Sequence, residues 1–135
     1  MAVFFNRVLK VNPRDPQGGD KKWYASLKSV GHMDEHEVAK LIADETTLNP
    51  KEAEMAIYQL EKVMGRLLLT GYTVQLGEFG SFSLTANSTG CKDEKEVTAD
   101  TIKRVRLVFR ASRHFKELLN TAKFKPAEEM LPKKH

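Results

Sequence analysis

The fold is decided by the stretch GYTVQLGEFGSF, residues 71–82, which ends an apolar helix and begins a pair of strands. Gly71 can adopt the left-handed conformation that ends a helix without steric cost. Val74 and Leu76 alternate with polar residues, and alternation is the period of a strand. Gly77 opens a Gly-x-x-Gly segment that interrupts the alternation, so the sequence predicts a tight bend and a returning strand.

Two helices are predicted before this stretch. The first begins near Met33, with acidic residues at its positive end. The second begins at Asn49 as N-cap, with Pro50 in the first helical position and Glu52 placed to reach back to the cap. It is expected to run to about Thr70. Its apolar residues cover a wider arc than one small sheet would bury, which predicts contact with a second subunit.

A third strand and a last helix carry a local excess of positive charge. Residues 100–125 contain eight Lys or Arg and two acidic residues. In the strand, Val105, Leu107 and Phe109 are expected on one face and the arginines on the other. Cations at the start of a helix oppose its dipole, so contact with phosphates explains them better than helix stability does. The candidate DNA-binding residues are Lys103, Arg104, Arg106, Arg110, Arg113 and Lys116.

An extension precedes the first helix. Residues 3–11 and 23–30 have the composition of strands, and residues 12–20 between them are typical of a turn-rich connection. An isolated two-stranded hairpin is marginally stable in water, so its aromatic residues are expected to pack on the main body or on a partner. The extension is then either an added surface for a partner or DNA, or an extra layer over the core.

Composition limits the class of protein. The chain has 135 residues, 22 Lys or Arg against 18 Asp or Glu, and a single cysteine, Cys91, which excludes an intrachain disulfide. No apolar run has the length of a membrane span, and we expect a cytoplasmic protein. His32 and His36 lack a further metal ligand, and no catalytic motif is present, so neither a metal site nor an enzyme is expected.

Two motifs in this order resemble the HU/IHF family of bacterial histone-like DNA-binding proteins. The first is VQLGEFGSF, residues 74–82, which is close to the strand-bend-strand signature of the family. The second is FRASRHFK, residues 109–116, where the family enters its last helix with a basic residue in the first turn. The resemblance runs from about Met33 to Phe124. The extension before it resembles a branch found in Bacteroides-type bacteria.

The resemblance implies an α+β fold, with a two-helix N-terminal hairpin, an antiparallel β-sheet with a β-arm, and a C-terminal helix, arranged as an intertwined homodimer. It implies a DNA-binding domain at 33–124, preceded by the hairpin extension at 1–32 and followed by a flexible tail at 125–135. The partner it implies is double-stranded DNA in the nucleoid. Because the sequence shows no recognition helix and no finger for reading base edges, we expect sequence-tolerant binding. No cofactor and no small-molecule substrate are implied.

The segment in the place of the family's arm departs from the pattern. Family arms are rich in Arg and Lys and carry a proline that wedges between base pairs. Residues 85–99 have a net charge of −1 and no proline, which argues against strong DNA bending. This acidic segment and the aromatic extension motivate the alternative, a dimeric protein-interaction scaffold that keeps the fold without strong DNA binding.

Overall fold

The computed structural model describes residues 1–12, 14 and 19–130. The chain divides into two compact units. The first unit comprises Met1–His32 and the segment from Leu119, and the second unit comprises Met33–Leu118. The elements in chain order are β1 (Val3–Val11), β2 (Lys21–Lys28), α1 (Glu35–Glu45), α2 (Pro50–Leu69), β3 (Val74–Leu76), β4 (Gly80–Ser88), β5 (Ile102–Ala111), α3 (Arg113–Leu119) and β6 (Phe124–Pro126), with 3₁₀ turns at Glu94–Glu96, Ala99–Thr101 and Ala127–Glu129.

The first unit contains a three-stranded sheet in the order β2-β1-β6. β1 and β2 are antiparallel, and Leu9 lies opposite Trp23. β6 runs parallel to β1, and the amide of Val3 donates to the carbonyl of Lys123 at 2.8 Å. The parallel β6 was not predicted, and it makes this sheet mixed rather than antiparallel.

The C-terminal segment differs from the flexible tail expected from residue 125. Phe124–Pro126 is a strand, and Arg7 Nη1 forms a 3.1 Å ion pair with Glu128 Oε1 just beyond it. The strand is too short for its alternation to be read from sequence, and its pairing depends on distant β1. Residues 131–135 of the expected tail, and residues 13 and 15–18 of the expected turn, lie outside the described residues.

Side-chain caps begin the two long helices of the second unit. Asp34 Oδ1 accepts from the amide of Glu37 at 3.0 Å, so α1 begins after Asp34 rather than near Met33. Asn49 Oδ1 accepts from the amide of Glu52 at 2.8 Å, and Glu52 Oε1 accepts from the amide of Asn49 at 3.1 Å. The predicted capping box is therefore confirmed, and a cap of this kind contributes about 1 kcal/mol.

Two side-chain contacts connect α1 to α2. His36 Nδ1 lies 2.8 Å from Glu54 Oε1, and the hydroxyl of Tyr58 donates to Glu35 Oε1 at 3.0 Å. The hydrogen bond to Glu54 raises the pKa of His36 above its ordinary 6.5. The hydrogen bond to Glu35 raises the pKa of Tyr58 to about 12. His36 is thus a partner of a carboxylate on the neighbouring helix.

The corner predicted at residues 71–82 forms as expected. Gly71 follows α2 with a φ of 96°. The amide of Phe79 donates to the carbonyl of Leu76 at 3.0 Å and closes the bend between β3 and β4. Gly80 has a φ of 150°, and a Cβ atom there would lie 2.3 Å from the carbonyl oxygen of Arg110. Only glycine fits this backbone conformation and this close approach.

Four aromatic rings cluster beside the corner. Phe79 lies 5.1 Å from Phe109 and 5.2 Å from Phe115 between ring centroids, and Phe82 lies 4.8 Å from Phe109. Such pairs contribute about 0.5–1.5 kcal/mol each beyond the area they bury. Ser112 connects the cluster to α3, because its amide donates to the carbonyl of Phe79 at 3.2 Å and its Oγ accepts from the amide of Phe115 at 3.1 Å.

The sheet of the second unit has the order β3-β4-β5, and both pairings are antiparallel. β4 continues to Ser88, although the sequence predicted a loop from residue 85, because residues 85–88 pair with the start of β5. The amide of Thr89 donates to the carbonyl of Thr101 at 2.8 Å beyond the last pair. Residues 89–101 then connect the two strands through two 3₁₀ turns.

The core of the second unit is small. Among the described residues, Ala39, Ala53 and Leu68 are the only buried hydrophobic ones, and all three lie on α1 or α2. Larger apolar side chains on α2 remain exposed, including Met55 and Leu69.

Candidate nucleic-acid interface

A β-bulge in β5 determines how its basic side chains are arranged. Ala86 lies opposite Val105, and the next residue of β4, Asn87, lies opposite Lys103. Arg104 is therefore the extra residue, and its φ of 50° lies in the left-handed region that residues other than glycine rarely adopt. The strict alternation expected from the sequence is interrupted at Arg104.

The bulge moves Lys103 onto the polar face of the sheet. Directly opposite residues of antiparallel strands share a face, and Lys103, Arg106 and Arg110 each lie opposite a polar residue of β4. In an unbroken strand Lys103 would lie on the apolar face, since a one-residue shift exchanges the two faces. The prediction that Arg104 shares a face with Arg106 and Arg110 is corrected accordingly, because Lys103 takes that place in the pairing. We call Lys103, Arg106 and Arg110 the basic strand face; their partners in β4 are Asn87, Thr85 and Ser81.

The side chains of the basic strand face are exposed and mostly unpaired. Arg106 Nη2 donates to Asn87 Oδ1 at 2.7 Å. No ion pair or side-chain hydrogen bond connects Lys103, Arg104 or Arg110 to any residue that the structure describes. The guanidinium groups therefore keep most of their N–H donors for a ligand. Asn87 was missed in the sequence because it lies in the segment interpreted as loop, and only the extended β4 brings it to Arg106.

The other two candidate residues lie at the start of α3. Arg113 Nε forms a 3.0 Å ion pair with Glu117 Oε1, and both side chains are largely exposed. An exposed helical pair of this kind contributes about 0.3–0.5 kcal/mol, so an anionic ligand can displace it at little cost. Lys116 is exposed and has no ion pair among the described residues. Ser112 alone separates α3 from β5, so these cations continue the basic run along the chain.

The geometry of the basic strand face suits repeated anionic groups. Arg106 and Arg110 lie four residues apart on one strand, which places their Cα atoms about 13 Å apart. Arginine recognises phosphate through a planar fork of donors, and a row of such forks suits several phosphates along one backbone. These contacts orient a polyanion without reading its bases.

Other kinds of site find less support in the described residues. They contain no group of three His, Cys, Asp or Glu side chains placed to hold a metal ion. A cavity of about 640 Å³ in the first unit is lined mainly by apolar residues, with Lys125 and Glu129 as its charged members. Within the part of the chain that the structure describes, we find no helix suited to spanning a membrane.

Two solved structures of other proteins are similar in fold to this chain. A structure of a Bacteroides vulgatus protein provisionally assigned as DNA-binding is similar with a TM-score of 0.62 and 12% identity, over 92% of this chain and 48% of that one. This chain therefore spans about half the length of that protein. HU from Anabaena, solved as a cocrystal with DNA, is similar with a TM-score of 0.51 and 18% identity, over 64% of this chain and 97% of that one. At these identities both likenesses show the fold alone.

Comparison with curated proteins gives no match. A family model for HU-HIG, described as an HU domain fused to wHTH, Ig, or glycine-rich motif, matches residues 1–126. The HU-like resemblance of the sequence is thus confirmed, and the match begins at residue 1, so it includes the extension that was set apart from the family core. Because the match covers nearly the whole sequence, the chain belongs to the HU-HIG family of HU-like proteins.

Proposed function

We propose that the protein binds double-stranded DNA as an HU-like architectural protein, through phosphate contacts made by the basic strand face. One observation carries the proposal: Lys103, Arg106 and Arg110 share an exposed face of β5, and none of them forms an ion pair with a described acidic residue. The DNA in the Anabaena HU cocrystal adds support, since this chain has the same fold. Arg104, Arg113 and Lys116 add positive charge on either side of this face.

Binding of this kind tolerates differences in DNA sequence. All six candidate residues are Lys or Arg, and their contacts to phosphates carry no direct sequence information. Selection among DNA sites then comes from the shape and deformability of the duplex. A protein with these properties organises DNA in the bacterial nucleoid, which agrees with a cytoplasmic location.

The functional form that we propose is a homodimer. The apolar face of β4 and β5 carries the opposed pairs Leu84–Leu107 and Ala86–Val105, and Leu107 is 57% exposed. On α2, Met55 is 69% exposed. Exposed apolar side chains on two elements, beside a core of three buried residues, are typical of a chain that buries its surface against a second copy.

A dimeric protein-interaction scaffold is the second candidate function. Residues 33–118 contain twelve Lys or Arg against fourteen Asp or Glu, a net charge of −2, which does not favour DNA by itself. DNA binding nevertheless depends more on where the cations lie than on the net charge of the unit, because salt screens distant charges and leaves the contacts at the phosphates.

A gel-shift titration separates the two functions. We expect the wild type to shift a duplex of arbitrary sequence at low salt, and Arg106→Glu/Arg110→Glu to lose most of this binding. Lys51→Glu/Lys62→Glu, on exposed parts of α2, makes the same change of net charge away from the basic strand face and is expected to bind nearly as the wild type does. Equal binding by both double variants would contradict the basic strand face, and no binding by the wild type would favour the scaffold.

A further inference from the structure

The positive charge of the chain is concentrated in the first unit. Residues 1–32 and 119–135 contain ten Lys or Arg against four Asp or Glu, a net charge of +6. The second unit, with a net charge of −2, contains all six residues assigned to the basic strand face and its flanks. A polyanion that approaches the chain is therefore attracted mainly by the first unit.

The sheet of the first unit places four lysines on one face. Lys10 lies directly opposite Lys22, and Phe4 lies between Lys28 on β2 and Lys125 on β6. Opposed residues share a face, and the two rows are an even number of residues apart along β1, so all four lysines project from the same side. We call Lys10, Lys22, Lys28 and Lys125 the lysine face.

The lysine face has no acidic counterpart in its own sheet. β1, β2 and β6 contain no Asp or Glu, and all four lysines are exposed without an ion pair to any described residue. Glu129 lines the same cavity as Lys125 without forming an ion pair with it. The opposite face of the sheet is largely apolar and carries Leu9 opposite Trp23.

The opposition of Lys10 and Lys22 is a cost to the sheet. Like charges directly across two strands destabilise the pairing. Neither lysine forms an ion pair with a described acidic residue, so the stability of the sheet does not explain the arrangement. An anionic ligand across the two side chains does explain it, since it converts the repulsion into two attractive contacts.

The dimensions of the lysine face match a nucleic-acid backbone. Lys10 and Lys22 form one row across the sheet, and Lys28, Phe4 and Lys125 form another. The two rows are six residue steps apart along β1, a distance of about 20 Å at the rise of a strand. That distance equals about six base pairs of duplex DNA. Between these lysines the same face carries Asn6 and Val8 on β1 and Ser26 and Tyr24 on β2.

We propose that the lysine face is a second phosphate-binding surface for double-stranded DNA, separate from the basic strand face. This inference rests on the proposed function, because it takes the same ligand. The lysine face thereby gives the first unit a role in affinity. The first unit supplies electrostatic attraction for DNA, and the basic strand face supplies a second set of phosphate contacts.

The test compares charge-neutralised variants of the full chain. In the lysine-face variant, the four changes are Lys10→Gln, Lys22→Gln, Lys28→Gln and Lys125→Gln; in the control, they are Lys40→Gln, Lys51→Gln, Lys62→Gln and Arg66→Gln, all on α1 or α2. Fluorescence anisotropy with a labelled duplex of arbitrary sequence gives affinity as a function of salt. Each lost phosphate contact reduces the slope of log K against log salt by about 0.9, so we expect a loss of up to about 3.6 per chain in the lysine-face variant alone. Its affinity is expected to fall about tenfold or more, whereas the control stays near the wild type.

The outcomes separate this inference from the proposed function. If the lysine-face variant binds with the wild-type affinity and slope while Arg106→Glu/Arg110→Glu loses binding, the lysine face is overturned and the proposed function stands. If the wild type does not bind DNA, both fail. If the lysine-face variant loses binding to phosphatidylserine vesicles but keeps the DNA binding of the wild type, the inference is overturned in favour of a lipid surface. Lys10→Gln/Lys22→Gln provides a second variant with half the change, and circular dichroism confirms that each variant is folded.

Discussion

A Cβ atom on Gly80 would lie 2.3 Å from the carbonyl oxygen of Arg110, so the bend and the basic strand meet at a point that admits only glycine. The φ of Gly80 is 150°, which adds backbone strain to the steric clash for any other residue. We expect Gly80→Ala to destabilise the fold by at least about 1–3 kcal/mol, the usual cost of a strained backbone conformation. Urea unfolding of the purified protein measures the change.

Gly65 provides the matched control for this substitution. A Cβ atom there would have no heavy atom within 4 Å, and the residue lies inside α2. Gly65→Ala is expected to leave the fold intact and to stabilise it by up to about 1 kcal/mol, because alanine favours a helix interior. If Gly80→Ala were as stable as Gly65→Ala, the close approach to Arg110 would not be a constraint on the fold.

Leu107 tests the proposed homodimer. It lies on the exposed apolar face of β5, opposite Leu84. We expect Leu107→Asp to shift the protein from dimer toward monomer at micromolar concentration, because a buried charge at an apolar interface is strongly unfavourable. Light scattering after gel filtration measures the mass. Thr85→Asp, on the polar face of the neighbouring strand, is expected to remain dimeric, and a monomeric wild type would contradict the proposal.

Local sequence signals predicted the second unit up to β4. The N-cap Asn49, the helix stop at Gly71 and the alternation of Val74 and Leu76 each depend on neighbouring residues, and each appears in the structure where it was expected. Such signals are readable because capping, left-handed glycine and alternation are properties of a few consecutive residues.

The features that the sequence did not reveal depend on distant partners. Because of the bulge at Arg104, Lys103 rather than Arg104 lies on the same face as Arg106. A bulge is set by the register with β4, which the sequence of β5 alone does not show. β6 forms because Phe124 pairs with Val3 at the other end of the chain. The lysine face was missed for the same reason: Lys125 lies beside Phe4 only through this parallel pairing. Counting charges along residues 100–125 alone could not find it.

The contact between His36 and Glu54 predicts a dependence of stability on pH. Because the pKa of His36 is raised in the folded protein by the hydrogen bond to Glu54, the contact contributes fully below the unfolded pKa of 6.5. Its contribution disappears as the pH rises through the folded pKa. Glu54→Gln should therefore destabilise the protein more at about pH 5.5 than at about pH 8.5.

Urea unfolding at the two pH values measures this difference, and an NMR titration of His36 is expected to show a lower midpoint in Glu54→Gln. Glu61→Gln removes the same charge from α2 and serves as the control. A destabilisation by Glu54→Gln that is equal at both pH values would show that His36 and Glu54 are not coupled.

The acidic connection between β4 and β5 predicts weak DNA bending. Residues 85–99 contain no proline, and Glu94 and Glu96 are exposed in a 3₁₀ turn, where they would repel the phosphates of a duplex bound beside them. We expect only a small change in energy transfer between dyes at the two ends of a duplex when the protein binds. A large change on binding would show that the connection bends DNA despite its charge.

Charge reversal of the same connection should turn this repulsion into attraction. Glu94→Lys/Glu96→Lys changes the net charge of residues 85–99 from −1 to +3, and we expect tighter binding with a steeper dependence on salt, by up to about 1.8 in the slope per chain if both new lysines reach phosphates. Asp44→Lys/Glu45→Lys makes the same change at the end of α1. Because overall charge rises equally in the two variants, a gain confined to the first locates this connection beside the bound duplex, whereas equal gains would place it elsewhere.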